Sequence, residues 1–163
     1  MNTQKLKLKQ RSFFWQIFCD NYLEVVKKRI YNNKEGKESA QYTLYTSLLT
    51  ILKLIAPIMP FITEEIYQEN FKKQEKDKSI HTGKWPEYEK GKEQEKTEDF
   101  DLFIEILGRI RQEKSNNKKA MNAEILLSLD EKDYSRIHEM LEDLKDVTCA
   151  KEIKKEKFKV EIC

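Results

Sequence analysis

The sequence has 163 residues, 31 Lys and Arg against 29 Asp and Glu, and a formal net charge of +2. Charged side chains make up 37% of it, against about a quarter in an average globular protein, while Gly (4) and Pro (3) are scarce. That composition excludes collagen and low-complexity disorder, and the longest apolar run, nine residues from Leu54 to Ile62, falls far short of the roughly 20 that span a bilayer.

Phe14, Ile17, Phe18, Tyr22, Val25, Val26 and Ile30 recur at three- and four-residue steps, which predicts a helix from about Gln10 to Tyr31. Two asparagines and Gly36 end it. A second helix is expected from about Glu38 to Ile55, with Leu44, Leu48, Ile51, Leu52 and Ile55 on one face. Pro57 and Pro60 interrupt the pattern, because proline lacks a backbone donor and disfavours helix in the residue before it. A third helix restarts near Ile62, with Thr63 as its expected cap and Glu64 and Glu65 at the positive end of its dipole. Lys72 to Thr97 is polar and reads as a long loop, which Ile80 and Trp85 are expected to pin down.

Glu98 to about Lys114 is the cleanest amphipathic helix, with Phe100, Phe103, Ile104, Leu107 and Ile110 inward. The period then changes. Ala123–Leu129 reads as a strand, Asp133–Lys145 as a helix with Ile137, Met140, Leu141 and Leu144 inward, and Val147–Ile153 and Phe158–Ile162 as strands. The expected fold is mainly α: a helical bundle over residues 1–117, then a small α+β (β-α-β-β) appendage over 118–163.

The N-terminus has no apolar h-region, so no secretory signal is read. Cys19, Cys149 and Cys163 are too few and too scattered for a disulfide framework or a zinc knuckle. A reduced, cytoplasmic setting is expected. The small net charge hides an asymmetry: +6 over residues 1–60, −1 over 61–90 and −3 over 91–163. A basic face suits a polyanion, whose counterions it releases, and equally suits plain solvation.

Catalysis needs convergent groups, and few candidates exist. His81 falls in the loop and His138 on a charged helix face, neither within helical reach of a second metal ligand. Cys19, between Phe18 and Asp20, reads as a small buried hydrophobe with no visible base. Thr82-Gly83-Lys84 lacks the upstream glycine and the following Ser or Thr of a phosphate loop. No catalytic residue and no metal site are assigned.

The informative stretch runs from Phe13-Phe14-Trp15-Gln16-Ile17-Phe18-Cys19-Asp20-Asn21-Tyr22-Leu23-Glu24 to Lys27-Lys28-Arg29-Ile30-Tyr31. Its aromatics suit a buried stripe, and Asp20 and Glu24 can pair with Lys27 and Lys28 at helical spacing. The cations continue into Tyr31, Asn32, Asn33 and Lys34. Cations for phosphate, an aromatic for stacking and amides for base edges are the ingredients for single-stranded RNA loops.

This helix resembles the Phe-Trp-x-x-Phe-Cys-Asp-x-Tyr-(Leu/Ile)-Glu-x-x-Lys-x-Arg-(Leu/Ile)-Tyr helix in the anticodon-binding domain of valyl-tRNA synthetases. Leu52 to Tyr67, with Pro57, Pro60-Phe61 and Thr63-Glu64-Glu65, is similar to that family's Leu-x-Pro-x-x-Pro-Phe-(Ile/Val)-Thr-Glu-Glu-(Ile/Leu)-(Trp/Tyr) segment. Ser79-Ile80 to Trp85-Pro86 resembles its Ser-Ile…Trp-Pro loop. Ile110-Arg111-x-x-Lys114-Ser115 and Asn122-Ala123-Glu124-Ile125 resemble its later elements. The order and spacing agree over roughly residues 13–126. Isoleucyl and leucyl enzymes share the Pro-Phe segment, whereas the Cys-Asp-x-Tyr-x-Glu helix points to the valyl branch.

The family's His-x-Gly-His and Lys-Met-Ser-Lys-Ser signatures are missing, as are the first helices of its bundle. The tail has no long heptad run, which implies the archaeal-like form of the family. The resemblance therefore implies a C-terminal piece of a larger class I enzyme that joins valine to its tRNA with ATP. This piece would need no cofactor of its own, ATP belonging to the absent catalytic domain. Its implied partners are the anticodon arm of valine tRNA and the remainder of the synthetase, with no membrane, and it is expected to be a monomer. Arg11, Lys27, Lys28 and Arg29 are the candidates for backbone phosphates, and Tyr31 and Asn32 for unstacked bases. Trp15, Phe14, Phe18, Pro60 and Phe61 are assigned to packing. The alternatives are a helical protein–protein module without RNA binding, or the equivalent domain of an isoleucyl-type synthetase.

Overall fold

A computed structural model describes residues 12–32, 36–87 and 97–163. A π-helical segment, Phe13–Tyr22, leads directly into α1 (Leu23–Tyr31). Then come α2 (Lys37–Ile55), α3 (Pro60–Asn70), the single turn α4 (Lys72–Glu75) and α5 (Thr97–Asn116). The C-terminal part runs β1 (Ile125–Leu129), α6 (Glu131–Arg136), a 3-10 turn (His138–Met140), α7 (Leu141–Thr148), β2 (Ala150–Lys155) and β3 (Lys159–Ile162). The fold is mainly α with a small α+β appendage, as its periodicities predict.

The chain packs as two units, one drawn from Met1–Glu35 with Glu93–Cys163, the other from Gly36–Lys92. The boundary expected after residue 117 falls inside the first unit. The reason is a shared core: Phe103, Ile106, Leu107 and Ile110 of α5 pack with Val25 of α1, with Ile125, Leu127 and Leu129 of β1, and with Ile137 and Leu144. The α5 stripe follows helical spacing, so Phe103, Ile106, Leu107 and Ile110 share one buried face, which ends in buried Lys114. Ile104, expected inward, is half-buried beside this core, and Ile106 takes the fully buried place.

β1 is the middle strand of a three-stranded sheet ordered β2-β1-β3. It pairs in parallel with β2 (Leu127 opposite Ile153) and antiparallel with β3 (Leu127 opposite Val160). A parallel pair needs a crossover connection, and α6, the 3-10 turn and α7 supply it. The single helix expected over Asp133–Lys145 is thus broken in two. Val147, read as the start of a strand, lies in α7 instead. Cys149, in the left-handed region at φ 55°, ends that helix before β2 begins.

The second unit is smaller. Leu49 and Leu52 of α2 and Ala56 just past its end pack against Tyr67 and Phe71, and Ile80 closes the cluster from the loop. Tyr67 and Phe71 stack one helical turn apart, and the Tyr45 ring sits 4.9 Å from that of Phe71. The Tyr45 hydroxyl donates to Glu75 Oε1 at 2.8 Å, and burial together with that carboxylate pushes its pKa up to about 12.

Three packing expectations need correction. α3 begins at Pro60, with proline's fixed φ suiting its first turn. Thr63 is therefore not its cap but a buried first-turn residue whose hydroxyl donates to the Met59 carbonyl at 2.8 Å. Ile80 does pin the loop, whereas Trp85 is 57% exposed. Of the five residues assigned to packing, Phe18 is buried and Phe14 half-buried, but Trp15 is 55% and Phe61 90% exposed, and Pro60 is exposed too. Phe14, Phe18 and Tyr22 stack at four-residue steps along the helix, and this row does not include the Trp15 direction.

Candidate functional site

The site residues predicted from the sequence converge on the last turn of α1, in the first unit. Arg11 lies outside the described residues. Lys27 is exposed and rests 3.3 Å from Glu24 Oε1, an i, i+3 pair that water and salt screen readily. Tyr31 ends the helix with 79% of its surface exposed. Asn32 caps it, its N–H donating to the Lys28 carbonyl at 3.0 Å and its side chain exposed. Lys27, Tyr31 and Asn32 thus present a cation, an aromatic ring and an amide together at one helix end.

The two remaining cations are engaged elsewhere. Lys28 does not turn back to Glu24 or Asp20; its Nζ lies 3.7 Å from Asp146 Oδ1 on α7. Arg29 donates from Nε to Asp143 Oδ1 at 3.0 Å and from Nη2 to Asp143 Oδ2. A planar guanidinium matches a carboxylate in this forked way. Burial pushes the Asp143 carboxyl up, and Arg29 opposes that shift. Asp143 and Asp146 are three residues apart, so they share the face of α7 that meets α1. Sequence reading missed both. Their one signal was position, beside the inward Leu144 on a short amphipathic helix.

The motif residues that carry the resemblance are mostly structural ties. Arg111 donates to Asn21 Oδ1 at 2.8 Å and to the Asp20 carbonyl at 3.1 Å, beside the junction of π- and α-helix. Lys114, 1% exposed, donates from Nζ to the carbonyls of Met121 (2.8 Å), Ala123 (2.7 Å) and Thr148 (2.6 Å). Burial pushes its pKa down. In the second unit, Glu64 accepts from Ser79 Oγ at 2.8 Å, from the Ile80 N–H at 3.0 Å and from Gln68 Nε2. Burial acts to raise its pKa, but these donors and nearby His81 outweigh that and lower it.

Nucleophilic chemistry finds no support in these residues. Burial and neighbouring Asp20 push the Cys19 thiol up, away from the reactive thiolate. His81 Nε2 sits 3.3 Å from the Pro60 carbonyl oxygen. His138 lines a cleft of about 490 Å³ with Phe100, Met140 and the Arg136–Asp99 ion pair. Among the described residues no group of three His, Cys, Asp or Glu side chains could hold a metal ion, and no helix is long and apolar enough to cross a membrane. A cation, an exposed aromatic ring and an amide lie side by side at this helix end, groups able to pair with an anion, to stack and to hydrogen-bond.

Residues 9–130 match the family described as the anticodon-binding domain of tRNA ligase. The chain is 40% identical over 146 residues to a valine–tRNA ligase of Rickettsia felis, covering 86% of this chain and 16% of that protein. It is 44% identical over 118 residues to that of Picrophilus torridus (72% and 15%). It is 41% identical over 115 residues to that of Methanosarcina barkeri (69% and 13%). The chain therefore spans about a sixth or less of the length of these relatives.

Proposed function

The chain belongs to the family of anticodon-binding domains of tRNA ligases, and from that premise we propose that it grips the anticodon arm of valine tRNA as part of a valine–tRNA ligase. The parent activity, joining valine to its tRNA with ATP, would reside outside these residues, with the rest of the synthetase as the domain's protein partner. The observation that carries the reading is the convergence of Lys27, Tyr31 and Asn32, all exposed, at the end of α1. Lys27, with Arg11, would neutralise backbone phosphates, releasing counterions. Tyr31 would stack on an unstacked base, and Asn32 would offer its amide to a base edge.

The test is a titration of the 163-residue chain with valine tRNA and with a non-cognate tRNA at two salt concentrations. The expected result is affinity that falls as salt rises, prefers valine tRNA and weakens in Lys27→Glu. Salt-independent or undetectable binding overturns the reading.

The exposed apolar run Pro57–Ile62 favours a second reading, a helical module that docks another protein. That reading by itself predicts no salt-dependent affinity for tRNA, so the same titration separates the two.

A further inference from the structure

We infer that Asp143 and Asp146 of α7 are positioning residues for RNA binding, holding Arg29 and Lys28 respectively, and that Arg29 is an anchor rather than a phosphate contact. The inference rests on the tRNA-binding reading and assigns a role to the C-terminal α+β segment within it. Two neighbouring cations of α1, Lys28 and Arg29, meet two acids that share one face of α7. Arg29 commits both ends of its fork to Asp143, and Asp143 is buried. A guanidinium held this way spends its Nε edge on Asp143, and that carboxylate offsets the charge it could present to a phosphate. It fixes where the last turn of α1 points instead. Tyr31 and Asn32 follow within three residues of Arg29, so the clamp sets the direction in which the ring and the amide are offered.

α7 is itself held in place. Lys114 donates to the Thr148 carbonyl at its C-terminal end, and Leu144 is buried in the core that contains β1 and α5. A continuous chain of contacts therefore runs from the sheet through α7 to the exposed end of α1. Preorganisation of this kind raises affinity by removing the cost of ordering the site on binding.

Salt dependence separates a positioning residue from a group that neutralises a phosphate. Removing one phosphate-neutralising cation makes the plot of log K against log salt shallower by about 0.7–0.9. Lys27→Gln is expected to flatten it by about that much. Arg29→Gln is expected to weaken valine-tRNA binding about tenfold, in the range of coupled contacts, with the slope unchanged. Asp143→Asn and Asp146→Asn give the sharper sign. Each removes a negative charge, which on electrostatics alone would tighten a polyanion; the clamp predicts weaker binding from both. The swap Arg29→Asp with Asp143→Arg keeps the net charge and is expected to restore affinity to within about threefold.

Circular dichroism melts of each variant confirm that folded protein is being titrated, and the Asn variants keep the test decisive if the swap does not fold. A flattening in Arg29→Gln equal to that of Lys27→Gln overturns the assignment. So does tighter or unchanged binding in both Asn variants. Absence of salt-dependent binding by the unmodified chain defeats the tRNA reading itself, a result distinct from either.

Discussion

Lys114 donates from Nζ to the carbonyl oxygen of Thr148 at 2.6 Å, across 34 positions of sequence. The same ammonium holds the carbonyls of Met121 and Ala123, so one side chain ties α5, the connection into β1 and the end of α7. Three donors meeting three carbonyls satisfy a buried ammonium completely. Lys114→Met keeps the length of the stem but strands all three acceptors, each at about 1–3 kcal/mol, while relieving the cost of the buried charge. The net expected loss is about 1–3 kcal/mol, read as a lower urea midpoint at an unchanged m-value. Lys114→Arg is not expected to rescue it, because a planar fork cannot aim at three converging carbonyls. A midpoint within error of the unmodified chain would show that the ammonium is dispensable.

Glu64 gives a pH dependence of defined sign. Its folded pKa lies below its ordinary 4.5: burial acts to raise it, but the hydrogen bonds from Gln68, Ser79 and the Ile80 N–H, with the charge of nearby His81, outweigh that. A carboxylate of lowered pKa contributes stability that is complete above its unfolded value and is lost as pH falls through the folded one. The stability gap between the unmodified chain and Glu64→Gln should therefore stay constant from pH 7 to about 5, then close below 4.5. Urea unfolding of both proteins at each pH measures it. A gap that widens on acidification would refute the assignment.

Phe61 and Phe103 show how much of the fold could be read from sequence and where that reading stopped. Both sit on helices in apolar patterns. Phe103 belongs to a stripe repeated over three turns, and such a stripe can only be satisfied by a core; the structure buries it fully. Phe61 lies in a run broken by two prolines, too short to define a face, and it is 90% exposed. The π-helical winding of Phe13–Tyr22 was equally invisible, since over ten residues apolar spacing does not separate helices of slightly different pitch. The Arg29–Asp143 fork joins residues 114 positions apart, and helical spacing rules only reach four. The exposed end of α1, by contrast, was legible, because Lys27, Tyr31 and Asn32 lie within two turns of one another along the chain. Phe103→Ala should accordingly cost about 3–5 kcal/mol, and Phe61→Ser should stay within about 0.5 kcal/mol of the unmodified chain. Denaturant midpoints decide it; a large drop in Phe61→Ser would mean that its ring has a partner in the folded chain.

Tyr31 offers the last separation, between stacking and folding. Its ring is 79% exposed at the end of α1, so truncation should leave stability almost unchanged. If the ring stacks on an RNA base, Tyr31→Ala should weaken valine-tRNA binding by about 1–3 kcal/mol, a factor of roughly 5 to 160. Tyr31→Phe keeps the π face and should retain most of the affinity. The salt slope should be the same in all three proteins, because the cations that neutralise phosphates are untouched. Fluorescence titration at two salt concentrations, beside a thermal melt of each protein, reads all of these quantities. An equal weakening in Tyr31→Phe and Tyr31→Ala would move the role from the ring to the hydroxyl. Full affinity in both would remove Tyr31 from the interface and leave the cations to bind alone.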